Sequence, residues 1–375
     1  MASGGVMCLS LSYSMQGYSL FKMEQNQLVR WGCMGVFCVF TFMYLYFYQG
    51  DIVAVGQHIL SQGQTHYNRT IGAIVVTALL AVLQTVAFRI TKLEKRAHAL
   101  TYFPSLLLLT FISSVGSRAD VDFSFGAWPW AGPLCLVGFA LLVWVAKEVE
   151  PYEPDASSGW FGRVVWVNLM LLCLQFVLVG CLSNHDEVFH YRMRMEKLIM
   201  KEKYGDALKV GKRALAADSS LTMLRAHALA AQGLLPERFF DYPVVGGAKA
   251  LRIDHTTVRT VLLPDSVVTL LADSSQYARD YKLMELLLDR KLGAFAEELH
   301  KSYTDSIYPK IYGEALLQYY YSSGKPFATG QNGAMEADFR DFNEMRMTTA
   351  DERERYNNLK RVYGNTYWFY FRYGK

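Results

Sequence analysis

Charged side chains are scarce in the first half of this 375-residue chain. Residues 1–184 hold only 19 of the 72 Asp, Glu, Lys and Arg residues, and residues 185–375 hold the other 53. A single soluble globule spreads its charge over its whole surface, so this distribution argues against one. It predicts a domain boundary near Asn184.

The chain has neither a large excess of one charge sign nor a patterned set of cysteines. Its formal net charge of +4 is too small for a basic face that binds a polyanion, so nucleic acid is not an expected partner. All six cysteines precede residue 185 and none has CxxC spacing. Neither a disulfide framework nor a structural zinc site is therefore expected.

Short catalytic and cofactor-binding motifs are also missing. The sequence contains neither the HExxH pattern of metalloproteases nor the GxSxG pattern of hydrolases. It also lacks the phosphate-binding patterns GxxxxGK[ST] and GxGxxG. No cofactor and no bound metal are predicted, and enzymatic activity is the less favoured expectation.

Long apolar runs are what the first half does contain. About 20 residues at 1.5 Å per residue cover the roughly 30 Å of hydrocarbon in a bilayer, and a helix satisfies its own backbone there. An all-α transmembrane bundle is thus predicted for residues 23–184, and the bilayer itself is an expected partner. Its five expected spans are residues 29–48, 71–90, 100–116, 131–146 and 164–182. Residues 1–22 have no signal-peptide pattern and are expected to be disordered or an over-extended gene start.

Basic residues in the short connections predict how the bundle is oriented. Arg89, Lys92, Lys95 and Arg96 crowd the connection between the second and third runs. Connections rich in Lys and Arg stay on the cytoplasmic side of the membrane. The amino terminus is then also cytoplasmic, and five spans put the carboxyl-terminal domain on the outer side.

Residues 185–375 have the hydrophobic periodicity of helices in a soluble domain. The segment from Tyr204 to Leu215 resembles the second helix of a tetratricopeptide unit, with packing positions at Tyr204, Ala207, Ala214 and Leu215. It departs from that pattern at Gly211, where an aromatic is usual, and at Ser219, where proline is usual. An all-α, helical-repeat domain is the expected fold.

Further segments of this second half also allow predictions. Residues 281–288, 292–303 and 312–321 are expected to be helices, as is the charged segment 345–362. The aromatic tail that follows, YGNTYWFYFRY, either packs against the helical domain or is an exposed motif for a partner; packing is favoured.

A polar loop between the first two spans is the strongest candidate for a site. Residues of this loop carry groups that could bind a head group, a sugar or a metal beside the membrane. They are Asp51, Gln57, His58, His66, Tyr67 and Asn68. The alternative is that these side chains are simply hydrated. A metal is disfavoured because His58 and His66 are eight residues apart with no third ligand nearby.

Several runs of the chain carry a family resemblance. QHILSQGQTHYN, LTYFPSLLLL, YGDALKVGKRAL, RFFDYP and YPKIYGEALLQYY resemble a family of multi-pass membrane proteins of unknown function from Bacteroidota, from about Met23 to the end. The resemblance implies a bacterial inner membrane, a tetratricopeptide-like periplasmic domain and no assigned activity.

Two functions are compatible with these patterns. The favoured hypothesis is a membrane-anchored scaffold or interaction module whose helical domain holds a protein or peptide partner. The alternative is an envelope enzyme or transporter-like protein whose polar site lies at the outer ends of the first two spans.

Overall fold

In a computed structural model the chain folds into two compact units, residues 1–186 and 187–375. The structure describes residues 27–116, 126–149, 162–273, 277–303, 308–324, 333–348 and 351–374. These residues form helices joined by turns and loops, with no β-strand among them. The all-α prediction is confirmed, while the expectation for residues 1–22 lies outside the described residues.

Four helices of the first unit are long and apolar enough to cross a membrane. They are α1 (Gln27–Tyr48), α3 (Arg69–Thr91), α5 (Trp128–Val149) and α6 (Arg163–Leu182). Two shorter helices, α2 (Gly50–Leu60) and α4 (Phe103–Ile112), complete the described part of this unit. Asn68 begins α3 as its N-cap, and its side chain accepts hydrogen bonds from the backbone N–H groups of Thr70 and Ile71.

The third predicted span, residues 100–116, is not one long α-helix in the structure. Residues 95–102 form a 3-10 helix, and α4 follows it directly with only 10 residues. Pro104 falls within the first turn of α4, where its missing N–H leaves no hydrogen bond unmade. The rise of about 2.0 Å per residue in a 3-10 helix makes residues 95–112 about 31 Å long, against about 30 Å for the 20 residues of α6.

Hydrogen bonds at both ends show that residues 95–113 run parallel to α6. At one end the Asn168 side chain accepts from the Ala99 N–H (2.7 Å) and donates to the Lys95 carbonyl (2.6 Å). At the other end the Asn184 N–H donates to the Ser113 carbonyl (2.9 Å). The segment therefore extends along almost the whole length of α6.

Contacts to the other helices give the direction of each in the bundle. The Arg30 guanidinium lies 4.3 Å from the centre of the Phe88 ring, so the start of α1 meets the end of α3. The Gln49 side chain donates to the Asn184 carbonyl (2.9 Å), so α1 and α6 end together. Phe111 packs edge-on against Trp128 at 5.5 Å, so α5 runs antiparallel to α4.

The second unit contains eleven described α-helices. They are α7 (Glu187–Ile199), α8 (Tyr204–Ala207), α9 (Ser219–Ala230), α10 (Leu235–Arg238), α11 (Asp265–Asp273), α12 (Ala278–Leu288), α13 (Leu292–Ser302), α14 (Lys310–Ser323), α15 (Gly333–Thr348), α16 (Glu352–Tyr363) and α17 (Tyr367–Tyr373). The central one is α9, in which every residue from Ser220 to Ala230 is buried.

The tetratricopeptide-like helix is shorter than its sequence suggests. It ends at Ala207 after four residues, and the chain then turns through Gly211, whose φ is +56°. A Cβ on Gly211 would lie 2.9 Å from the Tyr191 ring, so both the space and the backbone conformation there require glycine. Of the four packing positions Ala207 is buried, but Leu215 is 82% exposed.

Helices α12, α13 and α14 follow one another as predicted for residues 281–321, and consecutive helices pack together. The charged segment expected to be one helix over residues 345–362 is instead divided between α15 and α16. Asp351 causes this division, because its side chain caps the N-terminus of α16 by accepting from the Arg353 N–H.

Candidate functional site

The polar connection between α1 and α3 is helical in its first part, where Asp51, Gln57 and His58 lie on α2, and it begins with a partly buried ion pair. Asp51 is 6% exposed, and its carboxylate accepts a hydrogen bond from the Arg69 guanidinium at 2.6 Å. Gly50 leaves room for this contact, since a Cβ there would lie 2.9 Å from Arg69 Nε. The pair joins the start of α2 to the start of α3, which gives Asp51 a structural role.

Three other residues of the predicted cluster have local partners. The Gln57 amide donates to the Thr65 hydroxyl (2.9 Å), and Asn68 caps α3. The Tyr67 ring lies against Gly72, where a Cβ would be 2.1 Å from the ring. Burial raises the pKa of the Tyr67 hydroxyl, and Arg69 opposes the shift. These contacts stabilise the loop itself.

For the remaining two residues of the cluster, His58 and His66, the structure gives fewer contacts that would explain a structural role. His58 lies beside Gly63, and partial burial lowers its pKa, with a smaller contribution from His66. Among the described residues no group of three or more His, Cys, Asp or Glu side chains could hold a metal ion. Ligand binding by the six residues stays a prediction.

Charged groups that the sequence did not single out are buried in the second unit. Glu196 is fully buried, and its carboxylate accepts from the backbone N–H groups of Val261, Leu262 and Leu263 at 2.6 to 3.1 Å. Burial raises its pKa, while these hydrogen bonds and Arg192 oppose that shift. The three N–H groups fix the loop before α11, so Glu196 is best explained as a structural residue.

The aromatic tail packs into the second unit, as favoured from its composition. Tyr367 and Trp368 are 0% and 2% exposed, and the Trp368 indole donates to the Glu314 carbonyl at 2.7 Å. The Tyr367 N–H donates to the Glu314 carboxylate, also at 2.7 Å. Tyr367 and Tyr370 donate their hydroxyls to the backbone carbonyls of Leu287 and Leu288. The packing prediction is confirmed for these rings.

A second part of the tail remains at the surface. The rings of Tyr356, Phe369 and Tyr373 form a triad with centroids 5.1 to 5.5 Å apart, and all three are only half-buried. The ammonium of Lys360 lies 5.7 Å from the Tyr356 ring, and Arg372 is exposed. Sequence reasoning missed this aromatic triad because Tyr356 comes from a charged helix and only folding brings it to α17.

Comparison with known proteins identifies one segment of the chain. Residues 271–374 match a family of unknown function, DUF6057. This segment carries an uncharacterised domain. It contains α12 to α17, and therefore both the packed tail and the aromatic triad. No curated protein and no solved structure matches the chain.

Proposed function

We propose that this protein is a membrane-anchored interaction module whose helical unit binds a protein or peptide partner on the outer side of a bacterial inner membrane. The aromatic triad is the observation that carries the proposal. Aromatic residues and arginine are enriched at the energetically dominant positions of protein interfaces. The triad also lies in the segment that matches the uncharacterised family.

The directions of the helices support the outer location of the helical unit. Four helices have spanning length, and residues 95–113 extend beside α6 for nearly its full length. A segment that accompanies a membrane-crossing helix from end to end crosses with it, which gives five crossings. Arg30, Arg89, Lys92 and Lys95 lie at the end where α1 and α6 start, and this end is expected to be cytoplasmic.

The charge around the triad suggests the chemistry of the partner. The Lys360 ammonium lies beside the Tyr356 ring, and the exposed Arg372 precedes Tyr373 in the chain. Two of the three rings carry a hydroxyl group in addition to their apolar faces. A partner segment with an apolar side chain next to Asp or Glu would complement them. The bacterial source and the tetratricopeptide-like character of the domain rest on the family resemblance and remain part of the proposal.

Site-specific photocrosslinking in cells tests this function. A photoreactive amino acid at position 372 of the full chain is expected to give a discrete adduct with one envelope protein. The same residue at position 270, which is exposed on α11, serves as the matched control. The adduct formed from position 372 should be lost when Tyr373 is replaced by Ala. Equal labelling from positions 372 and 270 would contradict the proposal.

The same assay examines the alternative with a site in the polar loop. Replacing Asp51, His58 and His66 by Ala should leave the adduct at position 372 intact, and the variant should still rescue any phenotype of a deletion strain. Failure of rescue by a variant that still reaches the membrane and still forms the adduct would favour an enzyme or transporter site in the loop.

A further inference from the structure

A cleft lies at the surface of the second unit around the turn at Gly211. It consists of two cavities of about 590 and 480 Å³, which share Tyr191, Lys209 and Gly211 in their walls. The turn itself, residues 208–217, supplies most of the lining of the larger cavity. The space is open to solvent and large enough for a phosphate-bearing head group.

Cations outnumber anions in the walls of this cleft. Arg194, Lys209, Lys212 and Arg213 line it, opposed by Glu187 and Asp206. Lys209 is paired with Asp206 at 2.9 Å. Across the described parts of the chain, Arg194, Lys212 and Arg213 make no ion pair, so three positive charges remain available to a ligand.

A buried cation lies directly beneath the turn. The Arg225 side chain, only 1% exposed, donates from Nη2 to the Gly211 carbonyl at 3.1 Å. Its Nε and Nη1 atoms have no hydrogen-bond acceptor among the described residues. Burial lowers its pKa to about 10, which still leaves it protonated at neutral pH. This charge adds to the positive potential of the cleft independently of the exposed residues.

An apolar side chain projects beside these cations. Leu215 lines the cleft and is 82% exposed, although burying a leucine normally stabilises a soluble domain. An exposed leucine flanked by Lys and Arg is typical of segments that enter the interface of an anionic membrane. An anionic peptide would explain the cations but gives no reason for so prominent an apolar tip.

Chain connectivity limits how far the start of α7 lies from the end of α6. Glu187 lines the cleft and comes five residues after Leu182, the last residue of α6. Five residues span at most about 18 Å, and the polar layer of each leaflet is about 5 to 8 Å thick. This limit exceeds the thickness of the polar layer, so Glu187 can reach the head-group region of a membrane that α6 crosses.

We propose that this cleft binds the phosphate head group of an anionic phospholipid, with Lys212 and Arg213 on the phosphate and Leu215 in the interface. The proposal rests on the membrane anchoring proposed above but not on the protein partner at the aromatic triad. Bound lipid would hold the turn against the membrane surface.

Native mass spectrometry of the full chain in a neutral detergent tests the proposal. The probes are dioctanoyl phosphatidylglycerol, dioctanoyl phosphatidylcholine, inorganic phosphate and an oligoglutamate peptide. We expect phosphatidylglycerol to bind best, and Lys212→Ala with Arg213→Ala to weaken it at least tenfold at low salt. Lys301→Ala with Arg340→Ala, which removes the same charges from α13 and α15, should leave binding unchanged.

Two further measurements keep the outcomes distinct. Leu215→Ser should weaken phosphatidylglycerol but not inorganic phosphate, and circular dichroism should show that every variant is folded. Equal lipid binding by wild type and the Lys212/Arg213 variant would overturn the proposal, and so would tighter binding of oligoglutamate than of lipid. If either of these two outcomes is found while the chain still resists alkaline extraction from membranes, the proposed lipid site is refuted but the proposed membrane anchoring is not.

Discussion

The two units distribute polar and apolar side chains in opposite ways. In the first unit Gln49, Ser105 and Asn168 are fully buried, whereas Leu79 and Leu134 are 63% and 72% exposed. In the second unit the buried residues are mainly Leu, Ala, Phe and Tyr, and most charged residues face outward. The difference follows from the solvent, because a lipid environment favours apolar exteriors and lets buried polar groups join the helices.

The first unit also has tryptophans in positions suited to a membrane. Trp31 and Trp166 lie near the starts of α1 and α6 and are 76% and 53% exposed, while Trp130 near the start of α5 is 84% exposed. Because α5 runs opposite to α1 and α6, these rings mark both ends of the bundle. Trp368, by contrast, is 2% exposed in the core of the second unit. The same residue type therefore serves two different environments.

The largest expected effect is on membrane insertion, when charges are added to the exposed apolar surface of the first unit. The same change on the surface of the second unit serves as the comparison. Leu174 and Val177 are 57% and 61% exposed on α6. Replacing both by Asp should cost about 5 to 7 kcal/mol of membrane insertion and remove the chain from the alkali-resistant membrane fraction. On α11, Val267→Asp with Leu270→Asp should cost no more than about 1 kcal/mol. Equal behaviour of the two pairs would contradict the proposed lipid environment.

Replacing one tryptophan in each unit compares a buried ring with an exposed one. Trp368→Ala should destabilise the second unit by about 3 to 5 kcal/mol, since it removes a packed ring and a hydrogen bond to Glu314. Trp166→Ala in α6 removes an exposed ring and should cost about 1 kcal/mol or less. Urea unfolding of the full chain in detergent, followed by circular dichroism, measures both. A Trp166 effect as large as that of Trp368 would mean that α6 packs against protein rather than lipid.

The buried carboxyl of Glu314 should make the second unit sensitive to pH. Burial raises its pKa from 4.5 to about 7, with smaller increases from Asp338 and Glu237, while the Tyr367 N–H and Lys310 oppose the shift. The folded state then holds a proton that the unfolded state has lost. The contribution of Glu314 to stability is therefore fully present below pH 4.5 and is lost as pH rises through about 7, by on the order of 3 kcal/mol.

Glu314→Gln provides the control, since glutamine does not titrate but can still accept from the Tyr367 N–H. The free energy of unfolding, measured by urea titration between pH 5 and 8, should fall with pH in the wild type and stay nearly level in the variant. Parallel pH profiles would show that Glu314 is not the titrating group.

The smallest effect concerns the buried polar groups of the first unit. Asn168→Leu removes three hydrogen bonds, to Lys95, Ala99 and Val164, and should lower stability by about 1 to 2 kcal/mol. Asn343→Leu on α15, where the amide donates to the Phe339 carbonyl and to no other group in the described parts of the chain, should change stability by about 0.5 kcal/mol or less. Thermal unfolding in detergent compares the two. An unaffected Asn168 variant would show that the contact with residues 95–99 contributes little.

Regular periodicity allowed most helices to be predicted. Helices α12, α13 and α14 lie where the apolar spacing indicated, because local hydrophobic patterning matches the core that they form. The 3-10 helix at residues 95–102 could not be predicted, since its geometry depends on Asn168, about 70 residues away. Likewise, the single turn of α8 reflects the packing of Tyr191 against Gly211, which no local pattern reveals.

The candidate sites also differ in how much of each could be predicted from local sequence. The polar loop was visible in the sequence because its residues are neighbours there, but only the structure paired Asp51 with Arg69 and assigned Asn68 to a helix cap. The aromatic tail and the segment from Tyr204 to Leu215 stood out in the sequence, but only the structure brings Tyr356 to the tail and places Tyr191 and Arg194 of α7 beside the turn at Gly211.

Composition alone determined that the first half of the chain is an apolar helical bundle and the second a charged helical domain, because hydrophobic period and charge density are local properties. Tertiary structure decided which side chains remain accessible. Trp368 and Phe369 are adjacent in sequence, yet one lies against Glu314 in the core and the other joins Tyr356 at the surface. Burial depends on which distant helix packs on each face, and that information is not local.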